Sequence, residues 1–130
     1  MISETTKPTP NVGVMAALHA YSDEIAIASI TVHEVHFGFA RVPATATAKR
    51  ALLSNWIASS VELLPVYDYN VAAAKWHAQE RARLEASGIN PPFADGQIAA
   101  IAATSNLILV TRNLSDFHHY SGLTVISWFT

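Results

Sequence analysis

The sequence predicts a single domain of the α/β class, in which helices cover both faces of a mainly parallel sheet. The chain has 130 residues, and 51% of them are hydrophobic, which is enough for one buried core. Short apolar runs alternate with longer amphipathic segments, and glycine or proline residues separate many of them. Because parallel strands need a long and usually helical crossover between them, this alternation favours a three-layer α/β/α arrangement.

The first half of the chain predicts a short helix, a buried strand and two further helices. Asn11 is suited to cap a short amphipathic helix. Residues 24–29 (EIAIAS) form an apolar run typical of a buried strand. Thr31 is expected to open the next helix in a capping box with Glu34 three residues later. A longer helix is expected over residues 44–60, after a proline.

The second half of the chain predicts three more strands and two more helices. Residues 61–66 form a short strand that its proline places at an edge or an end. Residues 70–87 form a helix, and Gly88 ends it. A helix of small apolar residues precedes the last strands at 107–110 and 124–126. The inward-facing residues of the 70–87 helix are expected to be Ala72, Trp76, Ala78 and Leu84.

Composition excludes several classes of protein. A net charge of -2 is too weak for general electrostatic capture of nucleic acid, so a polyanion needs a local basic patch or a bound metal ion. The absence of cysteine excludes disulfides and thiolate metal sites. No apolar run is long enough to span a bilayer, and a soluble cytoplasmic protein is expected. Phosphate-binding glycine motifs and the nucleophile elbow are also absent.

Three acidic residues follow three different predicted strands: Glu34, Asp95 and Asp116. Taken singly, each has a structural explanation, as a capping-box residue, a first-turn acid and an Asx-turn residue respectively. Unrelated caps have no reason to recur after separate strands. The carboxyl ends of parallel strands meet at one sheet edge, where three carboxylates make a binding site for a hard divalent cation.

The histidines offer a competing metal site. Four of them lie in pairs that can be imagined around zinc: His33 with His36, and His118 with His119. The HExxH spacing that a zinc hydrolase requires is absent, so this alternative is the weaker one. His19 and His77 have no partners in the sequence and are expected at the surface.

Three strings of the sequence, SITVHEVHFG, PPFADGQIAAIA and LILVTRNLSDF, resemble the PIN-domain family of metal-dependent ribonucleases. The resemblance is greatest to the VapC- and FitB-like toxins of type II toxin–antitoxin pairs, and it covers nearly the whole chain. It implies a three-layer α/β/α fold, a carboxylate pocket that binds Mg²⁺ or Mn²⁺, and hydrolysis of RNA phosphodiester bonds. It also implies a homodimer and a small antitoxin whose C-terminal segment covers the pocket.

Carried over residue by residue, the three acids match the second, third and fourth acids of the family. Asp95 and Asp116 are expected to be metal ligands, and Glu34 either a ligand or the residue that orients the attacking water. Thr111 and Asn113 match polar residues of the last acidic loop. The remaining basic candidate is Arg112, which lies in the same loop and is expected to hold a phosphate.

The chain departs from the family pattern at its N-terminus. Family members begin with a hydrophobic strand that ends in Asp-Thr-Asn, followed by a segment like Val-Ile-Ser-Glu and then Lys-Pro. Residues 1–4 are Met-Ile-Ser-Glu, and Lys7 and Pro8 follow, so the first strand and the first acid are expected to be missing. Two explanations stay open: a natural start upstream of Met1, or a truncated protein that binds an antitoxin with weak or no activity.

Overall fold

The computed structural model describes residues 9–130. The sequence correspondences at residues 1–4, Lys7 and Pro8 lie outside the described residues. In chain order the helices are α1 (Val12–Ala20), α2 (Ser29–Ala40), α3 (Thr47–Trp56), α4 (Val71–Ala86) and α5 (Phe93–Thr104). The strands are β1 (Ile27–Ala28), β2 (Val66–Tyr67), β3 (Leu109–Val110) and β4 (Val125–Ile126). A π-helical turn (Ile57–Val61) continues α3, and a 3₁₀ turn (Leu114–Asp116) follows β3.

The strands are parallel, as predicted, but they form two separate pairs within residues 9–130. Strand β1 pairs with β2, and strand β3 pairs with β4. Each predicted strand of three to six residues is reduced to two paired residues, and Val61 belongs to the π-helical turn instead. The expected absence of a central strand stays a prediction.

Helix α5 holds the two strand pairs together from one side. Its small residues allow close approach, and Ala99 and Ala100 are fully buried. Ala100 belongs to a cluster that reaches Ala28 of β1, whereas Ala99 belongs to one that reaches Leu109 of β3. Helix α4 packs along α5. The core therefore lies beneath both pairs.

The ends of helix α4 match the sequence prediction, but its buried face does not. The Asn70 side chain accepts a hydrogen bond from the Ala73 amide (2.9 Å), and Gly88 adopts a left-handed φ of 75° just beyond the helix. The buried residues are Ala73, His77, Glu80 and Leu84. Ala72 and Ala78 are exposed and Trp76 is half-buried, so only Leu84 was predicted correctly as fully inward.

The predicted helix over residues 44–60 is also modified. It begins at Thr47, and its last turn is the wider π-helical one. Ile57 and Val61 are the buried residues of this segment, whereas Leu52 on α3 is 62% exposed. Among residues 9–130, no helix combines the length and the apolar character that crossing a membrane requires.

Candidate active site

Glu34 does not act as a helix cap. Helix α2 begins at Ser29, two residues before the predicted Thr31, and its N-cap Ala28 has no side-chain hydrogen bond. Glu34 is therefore the sixth residue of the helix, beyond the third position that a capping box requires. The prediction of a capping box was wrong, because the strand passes directly into the helix.

The Glu34 side chain is exposed and lines a groove of about 410 Å³ between α2 and α3. The groove residues on α2 are Thr31, Glu34, Val35, Gly38 and Phe39. Lys49, Leu53 and Trp56 of α3 form the opposite side. Neither α2 nor α3 contains a fully buried residue, so this wall of the site is open.

Asp95 lies near both of the other predicted acids. It is the third residue of α5 and half-buried in the first turn, where the helix dipole favours a negative charge. Its pKa is nevertheless raised, first by burial and then by the charges of Asp116 and Glu34, while His119 acts in the opposite direction. The carboxylates of Asp116 and Glu34 therefore each lie close enough to Asp95 to disfavour its charged form.

Asp116 ends the 3₁₀ turn after β3, and its side chain is exposed. Its amide donates to the Asn113 carbonyl (3.1 Å). In an Asx-turn the His118 amide would donate to the Asp116 carboxylate, but this amide donates to the Leu114 carbonyl instead (3.1 Å). Backbone groups thus form the turn, and the carboxylate is not needed for it.

The other predicted residues of this loop have structural contacts of their own. The Thr111 amide donates to the Ile126 carbonyl (3.0 Å), and its hydroxyl accepts a hydrogen bond from the Asn113 amide (3.2 Å). The Arg112 guanidinium lies over the Phe129 ring, 5.3 Å from its centroid. Contact of these three residues with a phosphate stays a prediction.

An ion pair between the buried Glu80 and the half-exposed Arg83 holds the loop that follows Asp116, and the sequence analysis missed it. Arg83 donates from Nε to Oε2 and from Nη2 to Oε1 of Glu80, both at 2.9 Å. The Ser121 amide (2.7 Å) and hydroxyl (2.8 Å) also donate to Glu80 Oε1, and Arg83 Nη2 donates to the His119 carbonyl (2.8 Å). These bonds, first of all those from Arg83, lower the pKa of Glu80 to about 2.

His119 lies beside the acids without bonding to them. Its Nε2 atom is buried and has no hydrogen-bond partner within residues 9–130. Burial, His118 and Arg83 lower its pKa, although the charges of Asp116 and Asp95 favour protonation. The sequence analysis had considered His119 only with His118, as a pair for the zinc alternative.

His77 was predicted at the surface, and this prediction was wrong. Its side chain is only 4% exposed, and its Nδ1 atom lies 2.9 Å from the Tyr69 hydroxyl. A β-carbon added at Gly96 would overlap Nε2 of His77, so the ring packs directly on the α5 backbone. Burial first, and then the charge of Arg81, lowers the pKa of His77.

The donor chemistry of the three acids suits a hard divalent cation, since carboxylate oxygens are the ligands that Mg²⁺ and Mn²⁺ prefer. Among the residues that the structure describes, no group of three or more histidine, aspartate or glutamate side chains is arranged to enclose a metal ion. This also applies to the histidine pairs of the zinc alternative. Mg²⁺ commonly binds one or two carboxylates and keeps several waters, so the donor chemistry of Asp95 and Asp116 fits it without an enclosing group of ligands.

Comparison with known proteins identifies the family. No protein-family model matches the chain. The chain is 32% identical over 133 aligned residues to VapC ribonuclease Y4jK of Sinorhizobium fredii, covering 98% of this chain and 91% of the relative. It is 30% identical over 107 aligned residues to the tRNA(fMet)-specific endonuclease VapC of Salmonella typhimurium, covering 82% and 77% respectively.

Structural comparison agrees with the sequence match. The chain superposes on a protein chain of FitAB bound to an IR36 DNA fragment with a TM-score of 0.86 and 27% identity, covering 99% of this chain and 92% of the other. This match confirms the predicted α/β fold class of VapC- and FitB-like PIN domains. The chain therefore belongs to the VapC ribonuclease family, and it is a nuclease of the hydrolase class.

Proposed function

We propose that this protein is a metal-dependent endoribonuclease and the toxin of a toxin–antitoxin pair. The observation that carries the proposal is the match to a VapC ribonuclease over 98% of this chain, and the charges of Asp116 and Glu34 beside Asp95 support the placement of its site. Like-charged groups gathered without a structural need are typical of a site that a cation occupies. The names of the two VapC relatives, a ribonuclease and a tRNA endonuclease, support RNA as the substrate.

The proposed mechanism assigns a role to each acid. Asp95 and Asp116 would hold a Mg²⁺ or Mn²⁺ ion, and Glu34 would be either a further ligand or the residue that orients the attacking water. The bound ion supplies positive charge that activates a water and stabilises the charge developing on the scissile phosphate. Arg112, Thr111 and Asn113 hold the neighbouring phosphate through charge-assisted and neutral hydrogen bonds.

The proposed partner is an antitoxin segment in the groove between α2 and α3. Glu34 lines this groove, so a basic side chain of the antitoxin could reach the acids from it. The FitAB neighbour is named as a two-component assembly bound to DNA, which supports a protein partner. A homodimer that acts in the cytoplasm completes the proposal.

The test is RNA cleavage in the presence of Mg²⁺ or Mn²⁺. We expect the parent chain to cleave and Asp95→Asn to lose at least about 100-fold in rate, the scale of losing one group that stabilises a transition state. The matched control is Asp68→Asn, because Asp68 is an exposed aspartate outside the acid group. Equal cleavage by both variants would contradict the proposal.

A second candidate is an inactive binding protein that retains the antitoxin surface. The absence of an enclosed metal site within residues 9–130 favours it. Absence of metal-dependent cleavage, together with tight capture of an antitoxin encoded beside the gene, would support this candidate over the enzyme.

A further inference from the structure

A second cavity lies beside the acids, between helices α4 and α5. Its volume is about 180 Å³, and it is separate from the groove that contains Glu34. Pockets that enclose a whole drug-sized ligand measure about 300–1,000 Å³, so this cleft has room for one ring system. Its lining residues are His77, Arg81, Leu84, Pro91, Phe93 and Tyr120.

The lining combines aromatic surfaces with a cation at the rim. Phe93 is 51% exposed, so part of its ring is open to solvent. The His77 ring centroid lies 4.8 Å from that of Phe93, and the Arg81 guanidinium lies over the Phe93 ring at 5.2 Å. The cleft therefore combines a half-exposed aromatic ring with a positive charge that lies over it.

The cleft is adjacent to the acid group. Phe93 and Asp95 lie in the same first turn of α5. Tyr120 faces the cleft, and its pKa is raised to about 12 by burial and then by the charges of Asp95 and Glu80. The effect of Asp95 on this pKa places the Tyr120 phenol near the Asp95 carboxylate.

We propose that this cleft binds one unpaired base of the RNA strand, with Arg81 contacting a phosphate of the same strand. The inference rests on the proposed ribonuclease function and names a substrate subsite for it. Single-stranded nucleic acids bind through aromatic surfaces that stack on bases and through nearby cations that hold the backbone. Here the half-exposed Phe93 provides the ring on which a base stacks, and Arg81 provides the cation. The small volume of the cleft limits it to one base.

A second phenylalanine–arginine pair provides a matched control. Phe37 on α2 is 54% exposed, and the Arg41 guanidinium lies 5.4 Å from its ring centroid. Phe37 and Phe93 thus resemble each other in exposure and in their cation contact. Neither Phe37 nor Arg41 lines the cleft or the α2–α3 groove, so neither is expected to hold a base.

The experiment measures binding of a fluorescently labelled single-stranded RNA oligonucleotide by anisotropy. All variants carry Asp116→Asn so that the RNA stays intact, and circular dichroism confirms that each one is folded. Phe93→Ala should weaken binding by about 5- to 150-fold, the range of one lost base stack. Phe93→Trp should restore it. Arg81→Gln should weaken binding about 2- to 10-fold. It should also reduce the slope of log affinity against log salt concentration by about one.

Phe37→Ala should leave the affinity within about 2-fold of the parent. An equal loss in Phe37→Ala and Phe93→Ala, or no RNA binding by the parent, would overturn the inference. The outcome is independent of cleavage. A chain that binds RNA through Phe93 but never cleaves it keeps the subsite and loses the ribonuclease proposal. If the chain cleaves RNA but Phe93→Ala leaves its RNA affinity unchanged, the ribonuclease proposal stands and the base subsite is wrong.

Discussion

The two walls of the acid site are built differently. The wall that carries Asp116 is fixed to α4, because Glu80 and Arg83 bond to Ser121 and His119 in the loop that follows the acid. The wall that carries Glu34 has no fully buried residue in α2 or α3 and borders a groove of about 410 Å³. The wall with Asp116 is thus held by hydrogen bonds, whereas the wall with Glu34 has an open groove that another molecule can bury.

This difference indicates which wall a binding partner completes. A preorganised loop holds its carboxylate in place before any ligand arrives, which is what a catalytic group requires. An open apolar groove gains the most from burial against another molecule. We therefore expect substitutions in the fixed wall to change stability and those in the open wall to change partner binding.

The largest expected effect is from breaking the fixed wall. Glu80→Ala should lower the free energy of unfolding by about 3 kcal/mol, because Ser121 and Arg83 lose their hydrogen bonds to a charged carboxylate and Arg83 keeps only its bond to the His119 carbonyl. The melting temperature should fall by roughly 10 °C, measured by differential scanning calorimetry. Glu85→Ala, an exposed glutamate on the same helix, is the control and should stay within about 0.5 kcal/mol of the parent. Equal melting of the two variants would exclude a structural role for the ion pair.

The fixed wall should also be sensitive to acid. The folded-state pKa of Glu80 is about 2, below the ordinary value of 4.5, so its stabilising contribution is complete above about pH 5 and disappears as the pH falls toward 2. The full contribution is about 3 kcal/mol. Urea denaturation at pH 6 and pH 3 should therefore show a smaller difference for Glu80→Gln than for the parent. If both proteins lose the same stability, the carboxylate is not the sensitive group.

Two helical glycines should differ in the sign of their effect. Gly96→Ala should destabilise by about 1–3 kcal/mol, since the new methyl group would overlap the buried His77 ring. Gly38→Ala in α2 meets open space and should stabilise by up to about 1 kcal/mol, because alanine favours a helix. Chemical denaturation of both variants gives the comparison. A stabilising Gly96→Ala would show that His77 moves aside easily.

The parts of the fold predicted correctly are those that local chemistry decides. Asn70 and Gly88 bound helix α4 through a side-chain cap and a left-handed residue, and both effects act within a few residues. The start of α2 was missed because Ser29 enters the helix directly from a strand without a capping side chain. Because Glu34 is not a capping residue, the structural explanation for its place in the sequence no longer applies.

The parts missed are those that depend on distant partners. His77 was predicted at the surface and Glu80 was not singled out, yet both are buried. The Ser121 amide that satisfies Glu80 lies 41 residues away, and the Gly96 surface that holds His77 belongs to another helix. Periodicity cannot identify such residues, because their burial is decided by tertiary hydrogen bonds and packing.

The smallest expected effect concerns Asp95, which connects the two walls. Its pKa is raised, so the charged carboxylate destabilises the folded protein once the pH exceeds its unfolded-state value. Asp95→Asn should therefore raise the free energy of unfolding in EDTA by about 0.5–1 kcal/mol, the gain typical of removing an unfavourable charge. Loss of the favourable helix-dipole contact opposes this gain and keeps it small. Thermal melting in EDTA measures it, with Asp68→Asn as the matched control.

The same two variants separate charge relief from metal binding. Adding Mn²⁺ at ten times its dissociation constant should stabilise the parent and Asp68→Asn by about 1.4 kcal/mol, because the ion binds only the folded carboxylates. Asp95→Asn should gain much less. An equal gain in all three proteins would place the ion away from Asp95 and would contradict its role as a metal ligand.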